Sequence, residues 1–117
     1  MRKIQYVFFL FVVVVYACHS RAKTTSGSDS KCLTEKIEAF SKQECKTGAS
    51  VKEYVLAGQH VYAFEPGNCG ADMTTEVVDS ACKNLGYLGG ITGNRTINDQ
   101  DFSSAELVKT WWESPAY

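Results

Sequence analysis

Five cysteines, Cys18, Cys32, Cys45, Cys69 and Cys82, are the side chains of this 117-residue chain best suited to covalent chemistry. Cysteine sulfur can carry lipid, form disulfides or hold a metal. An odd number in an exported protein calls for a separate role for one of them. Cys18 sits directly after a small residue, Ala17, at the end of an apolar run. Assigning it to lipid leaves Cys32, Cys45, Cys69 and Cys82, an even set suited to two disulfides in an oxidising compartment. Zinc fits poorly, because structural zinc sites usually contain a close cysteine pair and these four are 13, 24 and 13 residues apart.

The segment before Cys18 supports export. Arg2 and Lys3 open the chain, and residues 6–16 are uninterrupted apolar side chains. This is the layout of a secretory signal peptide, and the run is too short to span a bilayer, which takes about 20 apolar residues. Val15, Ala17 and Cys18 match the bacterial lipobox, an aliphatic residue three before the cysteine and a small one directly before it. Tyr16 departs from that pattern, where a small residue is usual. The alternative is ordinary cleavage after Ala17 or Ala22, releasing a free secreted protein. Lipidation of Cys18 would anchor the chain stably, since several acyl chains hold where one gives only marginal binding.

Removing residues 1–17 leaves 100 residues, with ten basic against thirteen acidic side chains and a net charge of −3. That is enough for one small domain. Without a basic patch, nucleic acid is not an expected partner. Residues 18–31 hold no large apolar side chain and are expected to be a flexible tether, roughly 20 Å in root-mean-square span. The domain is then 32–117.

Within that domain, Leu33, Ile37 and Phe40 recur at helical spacing among charged residues, predicting an amphipathic helix over residues 32–44 capped near Thr34. Residues 51–56 and 60–65 are rich in the β-branched and aromatic types that favour strands. They flank Ala57-Gly58-Gln59 as a hairpin, with either Ala57-Gly58 or Gly58-Gln59 as the central pair. Residues 74–79 predict a third strand and residues 83–88 a fourth. A second helix is expected over residues 102–113, where Ser103 and Glu106 make a capping box and Phe102 with Leu107 a hydrophobic staple. Strand is its rival there, since Val108, Thr110 and Trp112 alternate. The expected fold is therefore α+β: an N-terminal amphipathic helix packed on a small antiparallel sheet of about four strands, disulfide-stapled, with a C-terminal helix.

The disulfide pairing is open among three connectivities. A continuous helix would hold Cys32 and Cys45 about 20 Å apart at 1.5 Å per residue, beyond disulfide reach. That favours the pairings that staple the helix to the sheet through Cys69 and Cys82.

Other constellations are weaker. Gly86, Gly89, Gly90 and Gly93 match neither phosphate-binding glycine fingerprint. Asn94, Thr96, Asn98, Asp99 and Asp101 place oxygens at intervals resembling part of a calcium loop, but the glycine and distal glutamate of an EF-hand are missing. No serine sits in a nucleophile elbow, His60 stands alone mid-strand, and nothing in the spacing brings Asp72 and Asp79 together as acid and base. Catalysis is not expected, nor is a cofactor or a metal. Trp111, Trp112 and Tyr117 suggest an aromatic contact surface, since exposed aromatics mark interfaces.

Several stretches carry a family resemblance. Gly48-Ala49-Ser50-Val51-Lys52-Glu53-Tyr54, Gly58-Gln59-His60-Val61-Tyr62, Pro66-Gly67-Asn68-Cys69-Gly70-Ala71-Asp72-Met73 and Leu85-Gly86-Tyr87-Leu88-Gly89-Gly90 resemble small Bacteroidetes lipoproteins with a domain of unknown function. Asp101-Phe102 and Trp112 fit the same pattern, which covers residues 32–113. A related set in that group has a Cys-Cys-Asp run near Cys69 and a further cysteine near Gly86. This chain lacks them, so its disulfides cannot be copied from that set. The resemblance implies a cell-envelope lipoprotein and brings no activity with it. Because no acidic run follows Cys18, it also implies an outer-membrane position facing the periplasm rather than surface display. The expected function is a lipid-anchored binding module for an envelope protein or glycan, with inhibition of an exported hydrolase as the alternative.

Overall fold

The computed structural model describes residues 27–43, 45 and 47–115. The expected signal peptide, the expected lipobox with Cys18, the expected tether as far as residue 26, and Tyr117 lie outside the described residues.

One helix, α1 (Gly27–Gln43), precedes seven strands: β1 (Ser50–Leu56), β2 (Gln59–Glu65), β3 (Thr74–Asp79), β4 (Asn84–Gly89), β5 (Thr96–Ile97), β6 (Gln100–Asp101) and β7 (Glu106–Glu113). Five of them form a single antiparallel sheet in the order β4-β3-β2-β1-β7, and β5 pairs with β6 as a separate ribbon. The central hairpin follows from its residues. Ala57 and Gly58 both take positive φ, 48° and 79°, the backbone of a turn whose twist matches the flanking strands. This selects Ala57-Gly58 as the central pair and aligns Tyr54 with Val61 and Glu53 with Tyr62.

Alternation along β1 to β3 gives the sheet two apolar faces. On one face Val51, Tyr62, Phe64 and Val78 cluster with Leu33 of the helix, and Ile37, Phe40, Cys82 and Trp112 pack against them. On the other, Leu56, Val61, Ala63 and Val77 surround Ile97 of the ribbon, with Tyr54, Leu85, Leu88, Phe102 and Ala105 at the margin. Gly86 makes the second cluster fit. A β-carbon there would lie 3.1 Å from Ile97 Cδ1, and the register of β4 against β3 shifts beside it, between the Val77 and Val78 pairings, as glycines in strands often allow.

The expected α+β arrangement is overturned. The described chain is mostly antiparallel sheet, five strands plus a two-stranded ribbon, with one helix. That helix does not form a packed layer. It stands off the sheet: Leu33 is its one buried residue among those described, and Ile37 and Phe40 meet the same cluster only half-buried. Phe40 reaches Phe64 and Trp112 edge-on, with ring centroids 5.3 and 5.9 Å apart. The helix also begins at Gly27, ahead of the Thr34 cap expected for it.

The C-terminal helix is likewise corrected to a strand. Asp101 accepts a hydrogen bond from the Ser103 backbone N–H at 2.8 Å, capping a single 3₁₀ turn at Phe102–Ser104, and Ala105 is already extended. The open edge of β1 then offers the following residues a ladder of backbone hydrogen bonds. Pairing with β1 overrides the local capping signal and the rival strand reading holds, although two register shifts break the alternation of Val108, Thr110 and Trp112.

Candidate functional site

The four domain cysteines form two bonds, Cys32–Cys82 and Cys45–Cys69, with Cα atoms 6.2 and 5.3 Å apart. The first ties the N-terminal half of α1 to the β3–β4 turn. The second ties the segment after α1 to the turn after β2. The helix is thus clamped within its N-terminal half and again just past its C-terminal end.

Because the clamped helix stands off, a groove of about 440 Å³ opens between its C-terminal half and the chain entering β3. Phe40, Phe64 and Pro66 give it an apolar floor. Lys36 and Glu76 bridge one wall at 2.9 Å, and Asn84 donates to the other oxygen of Glu76 at 3.0 Å. Asp72 and Met73 form the opposite rim. Asp72 is exposed, adopts φ 60°, and has no ion-pair partner among the described residues. The volume lies within the range of ligand sites, which are largely apolar with a few placed polar groups. Neither tryptophan lines it.

The tryptophans are placed differently. The β1–β7 register shifts twice, leaving Val108 and Trp111 without partners in the ladder. One of these bulges turns Trp111 toward the face already occupied by Trp112, so two consecutive residues meet the same side of the sheet. Trp112 packs on Phe40. Trp111 donates its indole N–H to Glu53 Oε2 at 2.8 Å and meets the Tyr62 ring edge-on at 6.0 Å. Lys109 Nζ lies 3.8 Å from the Trp111 ring centroid. Although Trp111 is 38% exposed, its N–H and one ring face are already engaged, which leaves it little with which to grip a partner.

Glu53 is the centre of that cluster. It is buried, and its other oxygen lies 2.6 Å from His60 Nδ1 and 3.5 Å from the Tyr62 hydroxyl. Sequence reasoning did not single it out. Its parity with Val51 on β1 was the available signal. His60, expected to stand alone, is held by this carboxylate.

Burial, together with the charge and hydrogen bond of Glu53, pushes the Tyr62 hydroxyl above its ordinary value near 10. The folded chain therefore holds this proton more tightly than the unfolded chain. The resulting stability is complete below about pH 10 and is lost as pH rises through the folded value. Urea unfolding from pH 9 upward should show a decline in stability that is shallower in Tyr62→Phe. Equal slopes would remove Tyr62 as the cause.

The remaining candidates are scattered. Asp79 accepts the backbone N–H groups of Ala81 and Lys83, both at 2.9 Å, closing the β3–β4 turn. It lies at the opposite end of β3 from Asp72. Asn94 donates to the carbonyls of Tyr87 and Thr96, while Asn98 and Asp99 are the positive-φ pair of the β5–β6 turn. The oxygen-rich loop is thus built into its own turns. Among the described residues, no group of three His, Cys, Asp or Glu side chains is placed to hold a metal, and no helix is long and apolar enough to cross a membrane.

Together these features define a small antiparallel-sheet domain with a doubly clamped helix and a lateral groove. The chain belongs to the family described as a domain of unknown function, DUF6970, whose profile matches residues 35–114. Neither a curated protein nor a solved structure matches it.

Proposed function

We propose that this chain is a small binding module held to the bacterial cell envelope by lipid on Cys18, facing the periplasm, with the groove beside α1 as its binding site. The groove carries the binding reading: it is concave, apolar at its floor and edged by a carboxylate without an ion-pair partner among the described residues. The anchor is supported by Val15, Ala17 and Cys18 in lipobox spacing, and by the two disulfides, which leave Cys18 as the odd cysteine.

Two measurements test the two halves. Metabolic labelling with a palmitate analogue should mark the chain and fail on Cys18→Ser; absence of label, or label that survives the substitution, overturns the anchor. A photo-crosslinking amino acid at Gln43, on the exposed edge of the groove, should give discrete adducts in cells that the same group at Lys83, in the distant β3–β4 turn, does not. Identical adducts from both positions, or none from either, overturn the groove as the binding site.

A further inference from the structure

Resting on that reading, we infer that the groove receives a basic side chain of an extended polypeptide segment. Its apolar floor, Phe40 and Phe64, suits the methylene stem or neighbouring apolar residue of such a segment. The charges at the rim decide the sign of the occupant. Glu76 is neutralised by Lys36, so among the described groove residues Asp72 is the carboxylate left to meet an incoming charge. A cation satisfies it, whereas an anion meets it unscreened.

The form of the groove selects the source. Ala39, Gln43, Asp72, Met73 and Thr74 on its walls are all exposed, so it is a surface channel and not an enclosed cavity. Small ligands generally need most of their surface buried, which these walls do not supply. A side chain belonging to a larger partner gains its remaining burial from the rest of the interface.

The test uses the full ¹⁵N-labelled chain in detergent micelles, titrated with N-acetyl-Phe-Lys-amide, its Gln and Glu counterparts, and phenethylamine. The Lys peptide should shift the amides of residues 36–43 and 72–76. It should bind about two- to fivefold more tightly than the Gln peptide, the range of an exposed ion pair. The Glu peptide should bind weakest. Asp72→Asn should erase the Lys preference while keeping the backbone, since asparagine tolerates positive φ. Equal binding of the Lys and Gln peptides overturns the charge assignment and leaves the groove standing. Phenethylamine binding as tightly as the Lys peptide overturns the polypeptide source. Absence of groove shifts with every probe, or shifts undiminished by Ala39→Trp, which fills the groove from an exposed helix position, overturns the groove reading itself.

Discussion

Replacing Cys32 and Cys82 together by alanine should cost the folded domain about 4 kcal/mol, and replacing Cys45 and Cys69 about 3.5 kcal/mol. These figures follow from the chain entropy of closing loops with sequence separations of 50 and 24 residues. The longer loop matters for a second reason. It joins α1 to the β3–β4 turn, and the helix otherwise has only Leu33 buried against the sheet. Phe40, the Lys36–Glu76 pair and Cys45–Cys69 still hold the C-terminal half of the helix once the link is gone, so the double variant should also lose protection from hydrogen exchange over the N-terminal half of α1 while the central hairpin keeps it. Urea unfolding at fixed pH gives the first quantity and exchange mapping the second. A loss below about 1 kcal/mol for the Cys32/Cys82 variant would show that the unfolded chain is not the state these bonds constrain.

Glu53→Ala should destabilise the domain by about 2 kcal/mol, since hydrogen bonds to a charged group contribute roughly 1.5–3 kcal/mol and their donors here are partly reachable by water. Trp111 loses its acceptor at 2.8 Å and His60 its partner at 2.6 Å. Both side chains can recover some hydrogen bonding from solvent, which keeps the cost below that of a sealed site. Glu53→Gln retains an acceptor for the indole and should lose less. Tryptophan fluorescence separates local from global effects: in Glu53→Ala the emission of the folded protein should shift as Trp111 is released, whereas Glu53→Gln should leave it nearly in place. Stability of Glu53→Ala within 0.5 kcal/mol of the parent would mean that the cluster rests on the aromatic contact with Tyr62 alone.

The parts of the fold legible in the sequence were those governed by local chemistry. Val51, Val55, Val61 and Phe64 declared strands, Gly58 declared the hairpin turn, and residues 74–79 form a strand over the expected span. The helix spacing argued against joining Cys32 to Cys45, and the observed bonds lie elsewhere. What failed was decided by tertiary pairing. Ser103 and Glu106 carry a real capping signal, but β1 had a free edge, and β7 took it. The count of strands failed with it, because the fifth strand of the sheet is the segment read as helix. The groove was illegible for a different reason. Phe40, Phe64 and Asp72 come from three separate segments, and no spacing along the chain announces that a helix will stand off a sheet and leave room between them. Trp111 drew attention by residue type alone, while the bulge that engages it with Glu53 depends on register, which the sequence leaves open.

The Cys32–Cys82 bond also determines how the domain carries load. Tension applied from upstream of Cys32 crosses through sulfur to Cys82 in the β3–β4 turn and from there into the two strands it joins. The helix beyond Cys32 is bypassed, and its far end is fixed separately by Cys45–Cys69. A pull on the N-terminal side therefore strains the end of the sheet opposite the groove. The helical segment between the two clamps, residues 33–43, works as a slack wall whose position is set by the sheet and not by the force on the chain.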